Sequence, residues 1–394
     1  TKNTKNTKNT KNTKNTKNTK NTKNMKYTKY LKKINCSFIN SHLLKKSRKL
    51  GKGHTGIVFK GCIKNNCKYK IGVKFLLLNK KKEWSIKKKT HPSIIDARMG
   101  FQLSKLVERG ITPHINVVYF NKICNIKSIK NQNSELQEWL DEIDLEKFHN
   151  KVNVIYNEIA DIDLKKYILK NNVSYSDHLI ILFSLCYTLA CVQYYNKGFR
   201  HNDIHSSNIL VKIDEEFSKY KDKYDLYIIF GLKFYIPCSR FTIKLHDFDY
   251  SNSDYFKNDK VHNYKTNALR KFGVSPKYNP AFDLHMFTNF TLKNKDLDNS
   301  IRQLYLNLIP KDTIGESNRH TNRFKLTNFF FNGSVNYVPP SMKTPAELLL
   351  SDKSIFKSFQ DKKPSQIRHT YNSGILVNNE LYRRGDMFNT KLDR

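Results

Sequence analysis

Four residues in this chain have the types and the order that phosphoryl chemistry needs. Asp203 and Asn208 stand five apart in His201-Asn202-Asp203-Ile204-His205-Ser206-Ser207-Asn208, an H-x-D-x-x-x-x-N arrangement that runs into the strand-like Ile209-Leu210-Val211. At that spacing an aspartate can meet an acceptor hydroxyl as base or orienting group, while the asparagine offers its amide oxygen to Mg²⁺. Leu245-His246-Asp247-Phe248-Asp249 adds a second carboxylate, Asp247, directly after another strand-like run, as a cation bridging phosphate oxygens requires. Lys74 lies in Ile71-Gly72-Val73-Lys74-Phe75, an apolar strand where a charge without a partner is expensive. Phosphate oxygens would supply that partner; a lysine pointing out of a half-buried strand is the plainer alternative.

The run Gly51-Lys52-Gly53-His54-Thr55-Gly56-Ile57-Val58 matches G-x-G-x-x-G-x-V, with its third glycine, Gly56, eighteen residues before Lys74. Its glycines would let a β-turn bring backbone N–H groups close to nucleotide phosphates. A dinucleotide-binding loop would open a helix at the third glycine, whereas Ile57-Val58-Phe59 continues as a strand. A glycine-rich hairpin without a ligand is the bland reading. His201 and His205, four apart, would suit zinc on a helix, but they lie in a loop and do not form H-E-x-x-H.

These residues need a framework to hold them. Strand-like runs begin at Lys46 and recur at Ile115 to Cys124 and Lys151 to Ala160, which implies a small sheet. Between the last two lies an acidic insertion, Ser134 to Asn150, with six acids. A Ser134/Gln137 capping box and Leu136, Trp139, Leu140 and Ile143 at helical spacing make it an amphipathic helix, whose acids are either a solvated face, the usual explanation, or an intramolecular partner for the basic remainder. From Asp163 helical patterns dominate, with a long helix from Asp177 to Lys197 that Gly198 ends at C′. Ile209 to Ile213 and Phe241 to Leu245 flank a third strand-like run, Leu226 to Cys238. The last thirty or so residues are expected to form a loose tail, and Arg384-Gly385-Asp386 within it is a chance adhesion tripeptide.

The chain has 394 residues, 71 Lys plus Arg against 34 Asp plus Glu, and a formal charge of +37, which favours anionic partners without choosing among them. Residues 1–24 are eight copies of Thr-Lys-Asn, without an apolar side chain to offset ordering, and read as disordered. The start at Thr1 fits removal of an initiator, with Met25 an alternative start. Seven cysteines, an odd number with no Cys-x-x-Cys pair, argue against a disulfide framework and a thiolate zinc site, and for a reducing compartment. Leu179 to Val192, the most apolar stretch, is too short to span a bilayer, so the expectation is an intracellular, cytoplasmic protein without a membrane span.

With those motifs in order, the sequence resembles the eukaryotic-type protein kinases, and in detail the divergent serine/threonine kinases of giant, mimivirus-like DNA viruses. The viral likeness rests on Ile111-Thr112-Pro113-His114-Ile115, the Asn-Asp-Ile-His catalytic loop, Asp-Phe-Asp, and a Lys/Asn/Ile/Tyr-rich composition. The resemblance implies an α+β, bilobal kinase-like fold with a small antiparallel sheet lobe and a larger helical lobe. Its domain would span 46–360 (N-lobe 46–157, hinge 158–163, C-lobe 164–360) between a basic lead, 25–45, and a basic tail, 361–394. It further implies ATP and Mg²⁺ as cofactors and a protein substrate, with weak polyanion contact through the basic surface. Gly51, Lys52, Gly53, His54, Thr55, Gly56, Ile57 and Val58 would cover ATP, and Lys74 would hold its phosphates. Asp203 would be the catalytic aspartate, and Asn208 and Asp247 would bind Mg²⁺. Asn157-Glu158-Ile159-Ala160 would be the hinge facing adenine, with Glu158 in the nucleotide site, and Asp283 the buried helix aspartate that steadies the catalytic loop. A viral origin would place the protein in host cytoplasm or a virion.

Several residues depart from the family pattern. The usual glutamate partner of the lysine is absent, and Asp96 is the best substitute. Asn202 replaces the arginine that would bind an activation-loop phosphate, which implies activity without loop phosphorylation. His205 stands where a lysine would neutralise the transferred phosphate, Asp249 replaces a glycine, and no Ala-Pro-Glu follows. Asn208 and Asp247 are 39 residues apart, so Leu226 to Cys238 sits in an insertion. Asp249-Tyr250 also suits small-molecule kinases of the aminoglycoside or choline type, although these usually lack the full glycine loop. A pseudokinase scaffold is a second rival, and a plain nucleic-acid binder leaves the motifs unexplained.

Overall fold

A computed structural model of the chain describes residues 27–377, except 45–46, 54, 64–65, 82–83, 88, 131–132, 263–273, 277, 311–342 and 363. The Thr-Lys-Asn repeat, His54 and the Arg384-Gly385-Asp386 tripeptide therefore lie outside the described residues. The fold is α+β, with antiparallel sheets and helices. The chain forms two compact units: residues through Arg109 with Asn116–Ala160, and Gly110–Ile115 with the chain from Asp161.

The first unit is built on a five-stranded antiparallel sheet of order β1-β2-β3-β5-β4. Its strands are β1 (Arg48–Lys52), β2 (Gly56–Cys62), β3 (Lys70–Asn79), β4 (Val118–Asn125) and β5 (Phe148–Asn157). Strand periodicity separates two faces. Ile57, Phe59, Val73, Phe75, Val152, Val154 and Tyr156 enter one core, joined by Leu31, Ile34, Ile39 and Leu43 from residues 27–44 and by Leu136, Trp139 and Leu140. On the other face Leu76, Val118 and Ile155 pack against Ala97 of helix α2 (Pro92–Glu108), which starts at His91, whose side chain accepts from Ser93 N. The basic lead is thus part of this core: residues 27–33 form helix α1, and Thr28 donates to the Tyr119 carbonyl.

The acidic insertion folds as expected but starts differently. After the single turn α3 (Ile126–Ile129), helix α4 covers Ser134–Asp141 and is capped by Asn133, whose side chain accepts from Leu136 N at 3.0 Å. Asn133 is extended (φ −152) while Ser134 is already helical, so Ser134 cannot be the cap. Its carboxylates face lysines of the same unit: Lys49–Glu135 at 3.6 Å, Lys130–Asp141 at 4.0 Å, and Lys52 against Glu142 just past the helix.

The cysteine expectation is corrected. Cys36 is bonded to Cys124 and Cys62 to Cys67, whereas Cys186, Cys191 and Cys238 are free and buried. Packing of residues 27–44 along β4 brings Cys36 and Cys124 together across 88 residues, and the β2–β3 turn brings Cys62 to Cys67. Neither route leaves a Cys-x-x-Cys signature.

Residues 110–115, expected in the first lobe, belong to the second unit: Ile115 bridges Leu245 in parallel, and Leu245 N donates to the His114 carbonyl at 2.8 Å. The centre of this unit is α6 (Tyr175–Tyr195), preceded by β6 (Ile162–Asp163) and α5 (Leu164–Lys170). A reciprocal Ser174/Asp177 capping box starts α6, and its C-cap is Asn196, so Gly198 (φ +71) sits one residue later than C′. By length and apolarity α6 could cross a membrane, but most of it is buried in the unit. Its polar side chains have partners there: His178 with Tyr305, Thr188 with Thr112, Gln193 with the Pro280 carbonyl.

Strands β7 (Ile209–Ile213) and β10 (Phe241–Leu245) pair antiparallel, with β6 on the far side of β7. The strand-like Leu226–Cys238 between them is a hairpin, β8 (Tyr224–Ile229) and β9 (Leu232–Pro237). Its two-residue turn, Phe230-Gly231, has φ +56 and +76, the primed geometry that matches strand twist. The tail is not loose throughout: β11 (Ile367–Asn372) pairs in parallel with β8, Arg368 holds Asp225, and Ile375 is buried. The reason is long-range partnering, which a search for local periodicity misses. Helices α7 (Asp259–His262), α8 (Phe282–Leu292), α9 (Asn299–Leu306), α10 (Pro345–Leu350) and the short α11 (Lys357–Gln360) complete the unit as described.

Candidate active site

In the first unit β1 and β2 hold the glycine loop as a hairpin, with Gly53 N donating to the Gly56 carbonyl at 2.8 Å. Gly56 is demanded by packing, because an added Cβ would meet Leu76 Cδ2 at 2.5 Å and Phe75 O at 2.9 Å. At Gly51 nothing lies within 4 Å. Directly opposed residues of antiparallel strands share a face, so the Val58–Lys74–Ile155 register sets Val58 beside Lys74. Lys74 Nζ lies 2.8 Å from Asp96 Oδ2 of α2, the partner expected, with the two side chains 15% and 6% exposed. Such a pair fixes an ammonium that a long side chain would otherwise let wander.

Not every expected nucleotide-side residue joins that face. Ile57 points into the opposite core and is fully buried, a consequence of strand alternation between Gly56 and Val58. Lys52 is exposed and turned to Glu142. Glu158 closes the edge of the same sheet: its N–H donates to the Val117 carbonyl at 2.7 Å, and Val117 N donates to its carboxylate at 3.5 Å.

In the second unit the loop before β7 carries the acid chemistry. Asn208 Nδ2 donates to both the backbone oxygen and Oδ2 of Asp203, each at 3.0 Å. The amide is therefore oriented with its nitrogen on Asp203, and its oxygen is the atom suited to a cation. The Ile209–Leu245 register places Asn208 and Asp247 at the same end of the β7–β10 ribbon, which is how a 39-residue gap in sequence is closed. His205 Nδ1 accepts from Ser207 N, so Nε2, 3.8 Å from Asp203 Oδ2, carries the proton of the neutral ring. Its ring lies 5.2 Å from Phe290, over which Lys293 Nζ sits at 4.4 Å.

Asp283, at the start of α8, organises the loop from behind. It is fully buried and accepts from His201 N at 2.8 Å and Asn202 N at 3.0 Å. Burial pushes its carboxyl up, opposed by His201 and Arg200, and burial lowers the Arg200 guanidinium to about 10. Arg200 in turn stacks 4.0 Å over the Phe282 ring. Asn202 (φ +64) donates to the carbonyls of Tyr250 at 3.1 Å and Ser275 at 3.3 Å, a neutral tie where a phosphate-binding arginine was missed. His201 Nε2 donates to the His246 carbonyl at 3.0 Å, and its ring lies 5.2 Å from Phe248, so the two motifs lean on one another. Asp247 itself has φ +65, a conformation that aspartate tolerates better than most residues.

Lys260 of α7 was invisible in the sequence. Its Nζ lies 2.6 Å from Asp249 Oδ2 and 3.2 Å from the centre of the Tyr250 ring. Burial alone would lower its pKa, but Asp249 and Tyr250 outweigh it and hold the ammonium above its ordinary range. Asn258, fully buried, staples the segment by donating to the Asp249 and Ser251 carbonyls at 2.8 and 2.9 Å. Lys260 follows Asp249 by eleven residues in a stretch without periodicity, so no spacing signal pointed to it.

The donor set suits Mg²⁺ bound with nucleotide. Among the described residues no three of His, Cys, Asp and Glu gather into a ready-made metal cluster. One carboxylate and one amide oxygen are what a cation that retains waters and phosphate oxygens asks of a protein. On the first unit the glycine hairpin and the anchored Lys74 are of the types that suit phosphates.

No protein-family model matches the chain. Among curated proteins it is similar to two from Acanthamoeba polyphaga mimivirus. It is 26% identical to "Putative serine/threonine-protein kinase R400" over 323 residues, 76% of this chain and 66% of that protein. It is 28% identical to "Putative serine/threonine-protein kinase R301" over 209 residues, 50% of this chain and 51% of that protein. The chain thus spans just under two thirds of one relative and about half of the other. These similarities support a divergent kinase-like relationship for the chain.

Proposed function

We propose that the chain is an ATP- and Mg²⁺-dependent phosphotransferase that moves a γ-phosphoryl group to a protein serine or threonine hydroxyl. The observation that carries this reading is the Asn208 amide fixed on Asp203, on a loop clamped from behind by Asp283. MgATP, when bound, supplies the phosphoryl group and the divalent charge that offsets its oxygens. Lys74, held by Asp96, would bind phosphate oxygens on the first unit. Asn208 and Asp247 would hold the metal on the second. Asp203 Oδ would orient the acceptor hydroxyl and take its proton, with Asn208 keeping that carboxylate in one rotamer. His205 offers an imidazole N–H at the position where the resemblance implies a lysine.

The second reading, a small hydroxylated acceptor, rests on Asp249-Tyr250 following Phe248; Lys260, which occupies Asp249 and the Tyr250 ring, weighs against a cationic acceptor at that point. The test is transfer of labelled γ-phosphate from MgATP to acidic and basic proteins and to an aminoglycoside and choline panel. Label on protein serine or threonine supports the first reading and label on small molecules alone moves it to the second. No transfer to any acceptor, with nucleotide binding intact, contradicts both.

A further inference from the structure

Residues 1–82 hold 25 Lys plus Arg and no Asp or Glu, the first acid being Glu83, so this stretch carries +25 of the formal +37. A charge asymmetry of that size points to a polyanionic partner. A lysine stands at every third position from Lys2 to Lys32, so the spacing of the Thr-Lys-Asn repeat runs on into α1. There Thr and Asn give way to anchoring side chains: Tyr27 and Leu31 are buried in the core of the first unit, while Lys29, Lys32 and Lys33 are exposed. Residues three and four apart share a helix face, which sets these three lysines side by side.

The β2–β3 turn extends this surface. The Cys62–Cys67 bond closes the turn, Tyr69 N donates to the Asn66 carbonyl at 3.0 Å, and Ile63 N donates to the Tyr69 carbonyl at 2.9 Å, so Lys68, Tyr69 and Lys70 follow as a fixed, exposed row. The Tyr69 ring is 41% exposed and meets Tyr27 edge-on at 6.3 Å, which joins the turn to the start of α1. Among the described residues none of these five lysines has an ion-pair partner, whereas Lys49, Lys52 and Lys130 of the same unit face carboxylates of the acidic insertion. Like charges three and four apart on a helix repel one another, a cost that a bound polyanion reverses.

We propose that this face of the first unit binds single-stranded nucleic acid without regard to sequence, its lysines tracking the phosphates and the Tyr69 ring stacking on a base. The exposed ring between two lysines favours nucleic acid over an acidic protein, since every base offers a π face to an aromatic side chain. The repeat that leads into α1 has no apolar residue to enter a lipid surface, and its Lys, Thr and Asn are all side chains that donate to phosphate oxygens. None of the residues assigned above to nucleotide, metal or acceptor takes part, so the inference stands apart from the phosphotransferase reading.

Binding of a fluorescein-labelled oligouridylate of about 20 nucleotides to the full chain is followed by anisotropy from about 50 to 200 mM salt. Wild type is expected to bind, with the logarithm of affinity falling linearly with that of salt. Lys29→Gln/Lys32→Gln/Lys33→Gln is expected to weaken binding by about tenfold or more and to flatten the slope by about 2, as three lost phosphate contacts on a single strand require. Lys219→Gln/Lys221→Gln/Lys353→Gln, which removes the same charge from exposed positions of the second unit, is expected to stay within about twofold of wild type. Tyr69→Leu is expected to weaken binding by about fivefold or more with the slope unchanged; the exposed lysine variants keep the test informative if this one fails to fold. Absence of binding, or equal losses in the two triple variants, overturns the inference. Displacement of the oligonucleotide by polyglutamate of matching length at equal charge concentration also overturns it, moving the surface to an acidic protein partner.

Discussion

Gly56 shows how far a glycine motif can be read one residue at a time. The three glycines of the loop look equivalent in sequence, yet only Gly56 has neighbours that an added Cβ would strike, and at Gly51 the space is empty. Gly56→Ala is therefore expected to force Leu76 and the Phe75 carbonyl to shift, at about 1–3 kcal/mol, and to weaken nucleotide binding. Gly51→Ala is expected to change neither; urea unfolding and nucleotide titration of the two variants check this. Asp283 is the second position where a single side chain decides much. Asp283→Ala would orphan the His201 and Asn202 amides and remove a negative charge that favours the buried Arg200 guanidinium. A loss of about 3–5 kcal/mol is expected, read as a fall in the denaturant midpoint. The placement of the candidate-site residues was legible because their spacing is set by local geometry: five residues from Asp203 to Asn208 on one loop, a strand before Asp247, alternation around Lys74. Asp96 was legible as the one acid at the right place in α2. Lys260 and the Asn258 staple were not, because their partners come from the path of an irregular segment.

At the scale of elements, strand periodicity found β2, β3, β5, β7 and β10, and helical periodicity found α4 and α6. What it missed was long-range pairing. The β8–β9 hairpin reads as one apolar run because Phe230-Gly231 carries no Asn or Asp to mark the turn, and β11 has no apolar alternation of its own, since its worth lies in Arg368 and Tyr371. Arg368 Nη2 lies 2.5 Å from Asp225 Oδ2 and Nη1 lies 3.4 Å from Asp214 Oδ2, with Asp225 only 10% exposed. Tyr371 packs 4.9 Å from the Tyr227 ring. Arg368→Leu, which strands a largely buried carboxylate, is expected to cost about 3 kcal/mol. Ending the chain at residue 360 is expected to destabilise the second unit more, since it also removes a strand and the buried Ile375. Unfolding monitored by near-ultraviolet circular dichroism, which reports the tyrosine cluster, distinguishes the two. The disulfides escaped detection for the same reason as β11: the packing of residues 27–44 along β4 is a tertiary fact.

For the molecule as a whole, two buried histidines set the acid side of its stability. Burial lowers His114 to about 3, where it accepts from Tyr227 and donates to the Ile243 carbonyl, and lowers His178 to about 4, beside Tyr305. Both stay neutral in the folded state while the unfolded chain protonates them below about 6.5. The unfolded state then binds more protons, so stability falls as pH drops from about 6.5 toward 4, by up to about 1.4 kcal/mol per pH unit for each group. Denaturant midpoints from pH 7 to pH 4 check this, and His114→Gln is expected to flatten the slope. Across that range the formal charge of +37 grows further, adding self-repulsion that salt relieves and the histidine effect does not. The central claim concerns chemistry at Asp203, and it is tested most directly by following labelled γ-phosphate from MgATP onto protein in the full chain and in Asp203→Asn. The account predicts transfer by wild type and a loss of at least a hundredfold in the variant with nucleotide affinity unchanged; equal transfer by both would contradict it.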